Sequence, residues 1–306
     1  MLDVVSNFRK ILANDKEIYE KTFAKSIKER NVKMEPINKY VSTFKRGINH
    51  YYSKWLALLR EKRFKAYGTQ VKYMFFEERE SNVLLVSFPA CAPNEAKYNY
   101  VRTLLPFKCN KLFLLDDYGA NHQGCYLIED DVERCTFDLI KKVITRCDMR
   151  QSGGGKFDTL KTVFLGSSKG GYSALNFSFL IPNVDVVIGA PQYYLGSYLD
   201  KETTRVNLQY LIGNITEDGK NRLNTRLQKR ILSSQIKPET VYFHYSNVEH
   251  TYEEHVKDLL RDLKSVDVKV VEDVHNYPSH GGLKDFFPGF LQNTIKLLIN
   301  ESSTYY

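Results

Sequence analysis

The chain has 306 residues, 42% apolar and 26% charged, with a formal net charge of +8. These proportions exclude a disordered or fibrous protein and leave room for one large α/β domain with an appendage. No run of about 18 apolar residues occurs, and Met1–Val5 lacks the basic start of a secretory leader, so neither a membrane-spanning helix nor a leader is predicted. Cys91, Cys109, Cys125, Cys135 and Cys147 form no CxxC pair, and an odd count without a framework predicts reduced thiols in a cytoplasmic protein.

The positive charge is unevenly placed: residues 1–70 carry 16 Lys and Arg against 7 Asp and Glu, and the remainder 28 against 29. Residues 1–68 read as a basic helical extension. Val5, Phe8, Ile11 and Leu12 share one face, Ile37, Val41, Phe44, Ile48 and Tyr52 another, and Pro36 separates them. The pattern runs on through Trp55, Leu56, Leu58 and Leu59 into Arg60-Glu61-Lys62-Arg63, with Gly68 as the stop. Such a segment predicts an anionic partner: a membrane face, a polyanionic polymer or a phosphate-bearing cofactor. No nucleic-acid motif accompanies the charge, and a plain solvated helix has an equal claim on the same residues.

From residue 69 to 306 the pattern is that of an α/β domain. Short apolar runs occur at Val71–Phe76, Val83–Phe88, Leu112–Leu115, Val163–Leu165, Val184–Ile188, Val241–Tyr245 and Val268–Val271. Helical periods lie between most of them, at Phe137–Ile144, Tyr172–Leu180, Tyr252–Leu263 and Phe286–Leu298. Alternation of this kind predicts a mostly parallel sheet with helices on both faces. Residues 199–234 contain no strand pattern and read as a helical cap inserted between two strands. Ser152-Gly153-Gly154-Gly155 reads as a loop; it lacks the spacing of a phosphate-binding loop and precedes a strand rather than following one.

The chemistry concentrates at Val163-Phe164-Leu165-Gly166-Ser167-Ser168-Lys169-Gly170-Gly171-Tyr172, an apolar strand that runs into Gly-x-Ser-x-Gly and out into a helical period. That context predicts a nucleophile elbow with Ser168 as nucleophile. Ser167 has glycines at the wrong offsets. The Lys169 backbone N–H, at the helix start, is the first oxyanion donor, and Phe88, ahead of the N–H-less Pro89, is the candidate second. A serine nucleophile needs a base and an acid, which follow it in the order acid, then His. Glu249 lies in the loop after Val241–Tyr245, with Glu253 as competitor. His280 lies beside two glycines before a helix, with His275 as competitor. Asp116-Asp117 has no partner ligands at suitable spacing and reads as a solvated turn; no metal is predicted. The Lys169 side chain is expected to point away from the Ser168 hydroxyl.

Tyr98-Asn99-Tyr100-Val101, Leu165–Gly171 and Gly189-Ala190-Pro191-Gln192 resemble bacterial capsular polysaccharide O-acetyltransferases of the α/β-hydrolase fold and the related XcbB/CpsF-type capsule biosynthesis proteins. The acetyltransferase of the accessory secretion system for serine-rich adhesins is more distantly similar. The likeness spans residues from about 70 to 295 and leaves the basic extension outside. It implies acetyl-CoA as acyl donor, a bacterial surface polysaccharide as acceptor and a triad of Ser168, His280 and Glu249. Glu249 departs from the Asp of the nearest capsule enzymes and adds a methylene to the acid. The basic segment 1–68 would suit capsule-synthesis machinery at the anionic inner face of the membrane. Two other readings of the same residues are a carboxylesterase or deacetylase with the same triad and a non-catalytic capsule-assembly subunit. A nucleotide-sugar glycosyltransferase would leave the elbow unexplained.

Overall fold

A computed structural model describes residues 56–91, 95–152 and 160–303. The described residues all belong to one compact unit, Ser53–Tyr306. Most of the predicted basic extension and the Gly153–Gly155 loop lie outside the described residues.

Eight strands form one sheet: β1 (Lys62–Ala66), β2 (Thr69–Phe76), β3 (Val83–Ser87), β4 (Asn110–Leu115), β5 (Lys161–Ser167), β6 (Val184–Gly189), β7 (Thr240–Ser246) and β8 (Lys269–His275). Their spatial order is β1-β2-β4-β3-β5-β6-β7-β8. β1 pairs antiparallel with β2 and β2 with β4, while β3 to β8 run parallel. Every residue of β3, β4 and β6 is buried, as expected of parallel strands covered on both faces. β8, at the edge, is largely exposed. Among the described residues no helix is long and apolar enough to cross a membrane.

β1 corrects the helical reading of residues 62–66. Lys62, Arg63 and Lys65 are the exposed or partly exposed side chains of an edge strand. Tyr67 (φ 53°) and Gly68 (φ 71°) are both left-handed and join it to β2 as a two-residue hairpin turn, which requires positive φ at both positions. β8 also runs further than predicted, to His275, so Asp273 and His275 belong to a strand rather than a loop.

The helices that cover the sheet are α1 (Val101–Leu104), α2 (Asp130–Ser152), α3 (Lys169–Ser178), α8 (Lys257–Ser265) and α9 (Leu283–Ser303). Between β6 and β7 stand α4 (Leu195–Leu199), α5 (Arg205–Ile212), α6 (Glu217–Asn224) and α7 (Arg226–Ser233), an all-helical insertion. Its last helix is tied to α2, since Glu133 accepts from Arg230 at 2.6 Å and from Arg226 at 3.1 Å. At its other end Asn207 Nδ2 donates to Gln123 Oε1 at 3.0 Å, which sets α5 against the loop after β4.

Candidate active site

The carboxyl ends of parallel strands are where such sheets bind ligands, and β5 is central among them. β5 passes to α3 through Ser168, whose φ of 53° and ψ of −120° are a strained conformation for a side-chain-bearing residue. The Ser168 N–H is held by the Gly189 carbonyl at 2.8 Å. The turn is tight enough that a Cβ on Gly166 would lie 2.4 Å from the Gly170 backbone. One on Gly170 would lie 2.5 Å from the Phe88 carbonyl oxygen. Those neighbours are backbone and have little room to yield. Gly170→Ala is therefore expected to cost about 1–3 kcal/mol, measured by urea denaturation, by prising the segment after β3 off the helix start.

The fold brings the three predicted side chains together from distant parts of the chain. Ser168 Oγ lies 3.0 Å from His280 Nε2. His280 Nδ1 lies 3.5 Å from Glu249 Oε2, and neither of those two atoms has a hydrogen-bond partner among the described residues. The two atoms face each other at ion-pair distance, just beyond a hydrogen bond. Glu249 is buried, and Thr251 Oγ1 donates to its second oxygen. Burial pushes the Glu249 carboxyl up, but the facing His280 imidazole, the Thr251 hydrogen bond and the nearby His250 ring outweigh it and hold it below its ordinary value. It is thus an anion facing the imidazole. The competitors are engaged elsewhere: Glu253 pairs with Lys257 at 2.9 Å on the surface, and His275 Nε2 lies 3.2 Å from Asp273. Ser167 Oγ is bonded to the Tyr100 hydroxyl.

The oxyanion assignment needs one correction. The Phe88 N–H donates to the Leu165 carbonyl at 2.9 Å, continuing the β3–β5 pairing by one residue, and is committed to the sheet. Pro89 has none to give, and the Ala90 N–H donates to Asn99 Oδ1 at 3.0 Å. Lys169, which begins α3, keeps its place at the amino end of that helix, where the dipole favours an anion.

Three further side chains at the elbow escaped sequence reasoning. Gln192, in the loop after β6, is 1% exposed, and its Nε2 donates to Ser168 Oγ at 2.6 Å. Lys169 Nζ is held in a buried ion pair with Asp116 at 2.8 Å and donates to the Gln123 carbonyl at 3.1 Å. Asp116 is therefore not in a solvated turn: it is 1% exposed and also accepts the Cys125 N–H.

One group among the described residues has metal-ligand geometry: His244, Asp273 and His275, whose ligand atoms lie within 4.8 Å of one another. His244 and Asp273 are direct cross-strand partners, and His275 is two residues further along the same face. Burial lowers the His244 pKa, so the ring is neutral and its Nδ1–H donates to Asp273 at 2.6 Å. Its other nitrogen is buried without a partner, and the ring packs against Tyr277, Phe287 and Phe290. A metal on Nδ1 would shift the proton to that unpartnered nitrogen, whereas in this arrangement His244 donates to Asp273 and His275 Nε2 lies 3.2 Å from the same carboxylate.

No protein-family model matches the chain, and no curated protein matches it in sequence. Solved structures do match in fold. The capsule O-acetyltransferase of Neisseria meningitidis serogroup A superposes with a TM-score of 0.61 at 19% identity, over 76% of this chain and 96% of that one. The Glycosylation Associate Protein (Gap123) complex from Streptococcus agalactiae gives 0.64 at 17%, over 78% of this chain but 46% of that one. Esterase B of Lactobacillus rhamnosis gives 0.53 at 13%, over 89% and 97%. The chain has an α/β-hydrolase-like fold. Ser168 stands at its strand–turn–helix junction between β5 and α3.

Proposed function

We propose that the chain is a serine O-acetyltransferase that moves acetyl from acetyl-CoA to a hydroxyl of a bacterial surface polysaccharide. The observation that carries this reading is the 3.0 Å approach of Ser168 Oγ to His280 Nε2 at the elbow, with Glu249 behind the imidazole. In the first half-reaction Ser168 Oγ attacks the thioester carbonyl and its proton passes to His280 Nε2. The oxyanion is held by the Lys169 N–H. Its collapse forms the acetyl-serine and expels the thiolate, which takes the proton from His280. In the second half-reaction His280 takes the proton of the sugar hydroxyl as that oxygen attacks the acetyl-serine. The ester product leaves, and the proton returns to Ser168 Oγ. Glu249 stabilises the imidazolium in both halves.

The likeness to a capsule O-acetyltransferase, a histidine-to-alanine mutant of which has been solved in complex with CoA, supports acetyl-CoA as donor and a capsule-type sugar as acceptor. The excess positive charge of residues 1–70 suits an anionic polymer or membrane face near the site of capsule synthesis in the cytoplasm. The likeness to an esterase of the same fold supports hydrolysis as the second reading. The two differ only in whether water or a sugar resolves the acetyl-serine.

Mixing the full chain with acetyl-CoA and no acceptor separates them. The transferase reading expects one acetyl group on Ser168 by peptide mass spectrometry, discharged when purified capsular polysaccharide is added. Steady CoA release without acceptor, with none of it speeded by polysaccharide, would establish the hydrolase instead.

A further inference from the structure

We infer that Gln192 is a catalytic residue: its side-chain amide directs the Ser168 hydroxyl onto His280 and stabilises Oγ as its proton leaves. The inference rests on the reading of Ser168 as nucleophile. Gln192 reaches the reacting oxygen itself, with Nε2 at 2.6 Å from Oγ, and its own side chain is buried, at 1% exposure. An amide N–H only donates, so it occupies a lone pair of Oγ and cannot receive the hydroxyl proton. The partner left for that proton is the His280 nitrogen at 3.0 Å. With the amide nitrogen on Oγ and Oε1 buried without a hydrogen-bond partner among the described residues, hydrogen-bond direction at the nucleophile is set before substrate arrives. As the proton moves to His280, negative charge grows on Oγ, and a donor already in place is worth more to it than to the neutral hydroxyl.

The backbone holds Gln192 there for a visible reason. The Gly189 carbonyl accepts the Ser168 N–H, and the Ala190 N–H donates to the His244 carbonyl at 2.9 Å, which pins the start of the loop to β5 and β7. Pro191 packs 3.1 Å from where a Cβ on Gly171 would stand, so the loop lies directly against the first turn of α3. The following residues are anchored too, with the Tyr193 hydroxyl on Asp262 at 2.7 Å and the Tyr194 hydroxyl on Asp258 at 2.8 Å. Gln192 is therefore presented on a rigid support, as a group that must not move during proton transfer requires. The contact also accounts for Gln192 within the Gly189-Ala190-Pro191-Gln192 string, where a buried amide has no packing advantage over leucine or methionine.

The test is the rate at which a fluorophosphonate probe labels Ser168, which reads nucleophile reactivity without turnover, in wild type, Gln192→Met and Gln192→Glu. Gln192→Met keeps the volume and loses the donor, so labelling is expected to slow about 10²-fold with the melting temperature little changed. Gln192→Glu keeps the shape but substitutes an acceptor that captures the serine proton, so it is expected to be slower still at pH 7–8 and to recover partly on acidification. A packing role predicts the reverse order, with the near-isosteric Glu the milder change. Labelling of Gln192→Met within threefold of wild type, or a milder Gln192→Glu, overturns the inference. Failure of the wild-type protein to be labelled at all would instead overturn the nucleophile reading and is recognisable as such.

Discussion

Ser168→Ala is expected to lower acetyl transfer, and hydrolysis of an activated acetyl ester, by about 10⁴- to 10⁶-fold while leaving the thermal melt unchanged. The size follows from the mechanism, because covalent catalysis is lost outright and only oxyanion stabilisation and binding remain. His280→Ala should fall in the same range, and the double variant should be no worse than either single, since the two groups act as one unit across 3.0 Å. Glu249→Gln is expected to lose less, about 10²- to 10⁴-fold, because Ser168 and His280 survive but the imidazolium loses its anion. A stopped-time assay of CoA release reads all four variants. Additive losses in the double variant would mean that the two side chains act separately, and the triad would be abandoned.

The same carboxylate makes a stability prediction whose sign is fixed by its lowered pKa. A group depressed in the folded state stabilises the fold above its unfolded pKa, and that contribution fades as the pH falls through the folded value. Glu249→Gln is expected to remove this acid-side loss, so that the urea midpoints of wild type and variant converge on acidification.

The elbow was legible because its signature is local: strand, Gly-x-Ser-x-Gly and helix occupy consecutive residues, and the glycines answer to a backbone crossing within five positions. The parallel strands were legible for a similar reason, since burial on both faces writes an unbroken apolar run. Edge strands carry no such mark. β1 exposes lysines and an arginine, and five residues of that kind following a helical period read as its continuation until the positive φ of Tyr67 and Gly68 is known. The Phe88 assignment failed on register: whether an amide at a strand end is spent depends on the neighbouring strand, here on the Leu165 carbonyl, which composition does not report. Gln192 and Asp116 were illegible for the most general reason. A polar side chain declares its role only through its partner, and those partners lie 24 and 53 residues away in sequence.

The Lys169–Asp116 pair carries the largest expected effect on stability. The two side chains are 3% and 0% exposed, and the pair joins the segment after β4 to the residue that follows the nucleophile. Gly124, at φ 91°, lies over it: a Cβ there would come within 2.0 Å of Lys169 Nζ and 2.4 Å of Asp116 Oδ2. Little space is left for water to solvate a charge whose partner has gone. Lys169→Met or Asp116→Leu is accordingly expected to cost about 3–5 kcal/mol, most of it the penalty of one uncompensated buried charge rather than the net worth of the pair. Lys169→Met/Asp116→Leu removes both charges and should recover a large part of that loss. Recovery will be incomplete, because the Cys125 N–H and the Gln123 carbonyl lose their partners. Urea denaturation of the four proteins decides it: single losses that simply add in the double variant would show that the charges are not coupled. Activity should follow stability in this series only in part. Lys169→Met keeps the backbone N–H assigned to the oxyanion, so at a temperature where the variant is folded its ester hydrolysis should stay within about tenfold of wild type, far above Ser168→Ala. A variant that is folded yet as inactive as Ser168→Ala would move the Lys169 ammonium from scaffold to chemistry.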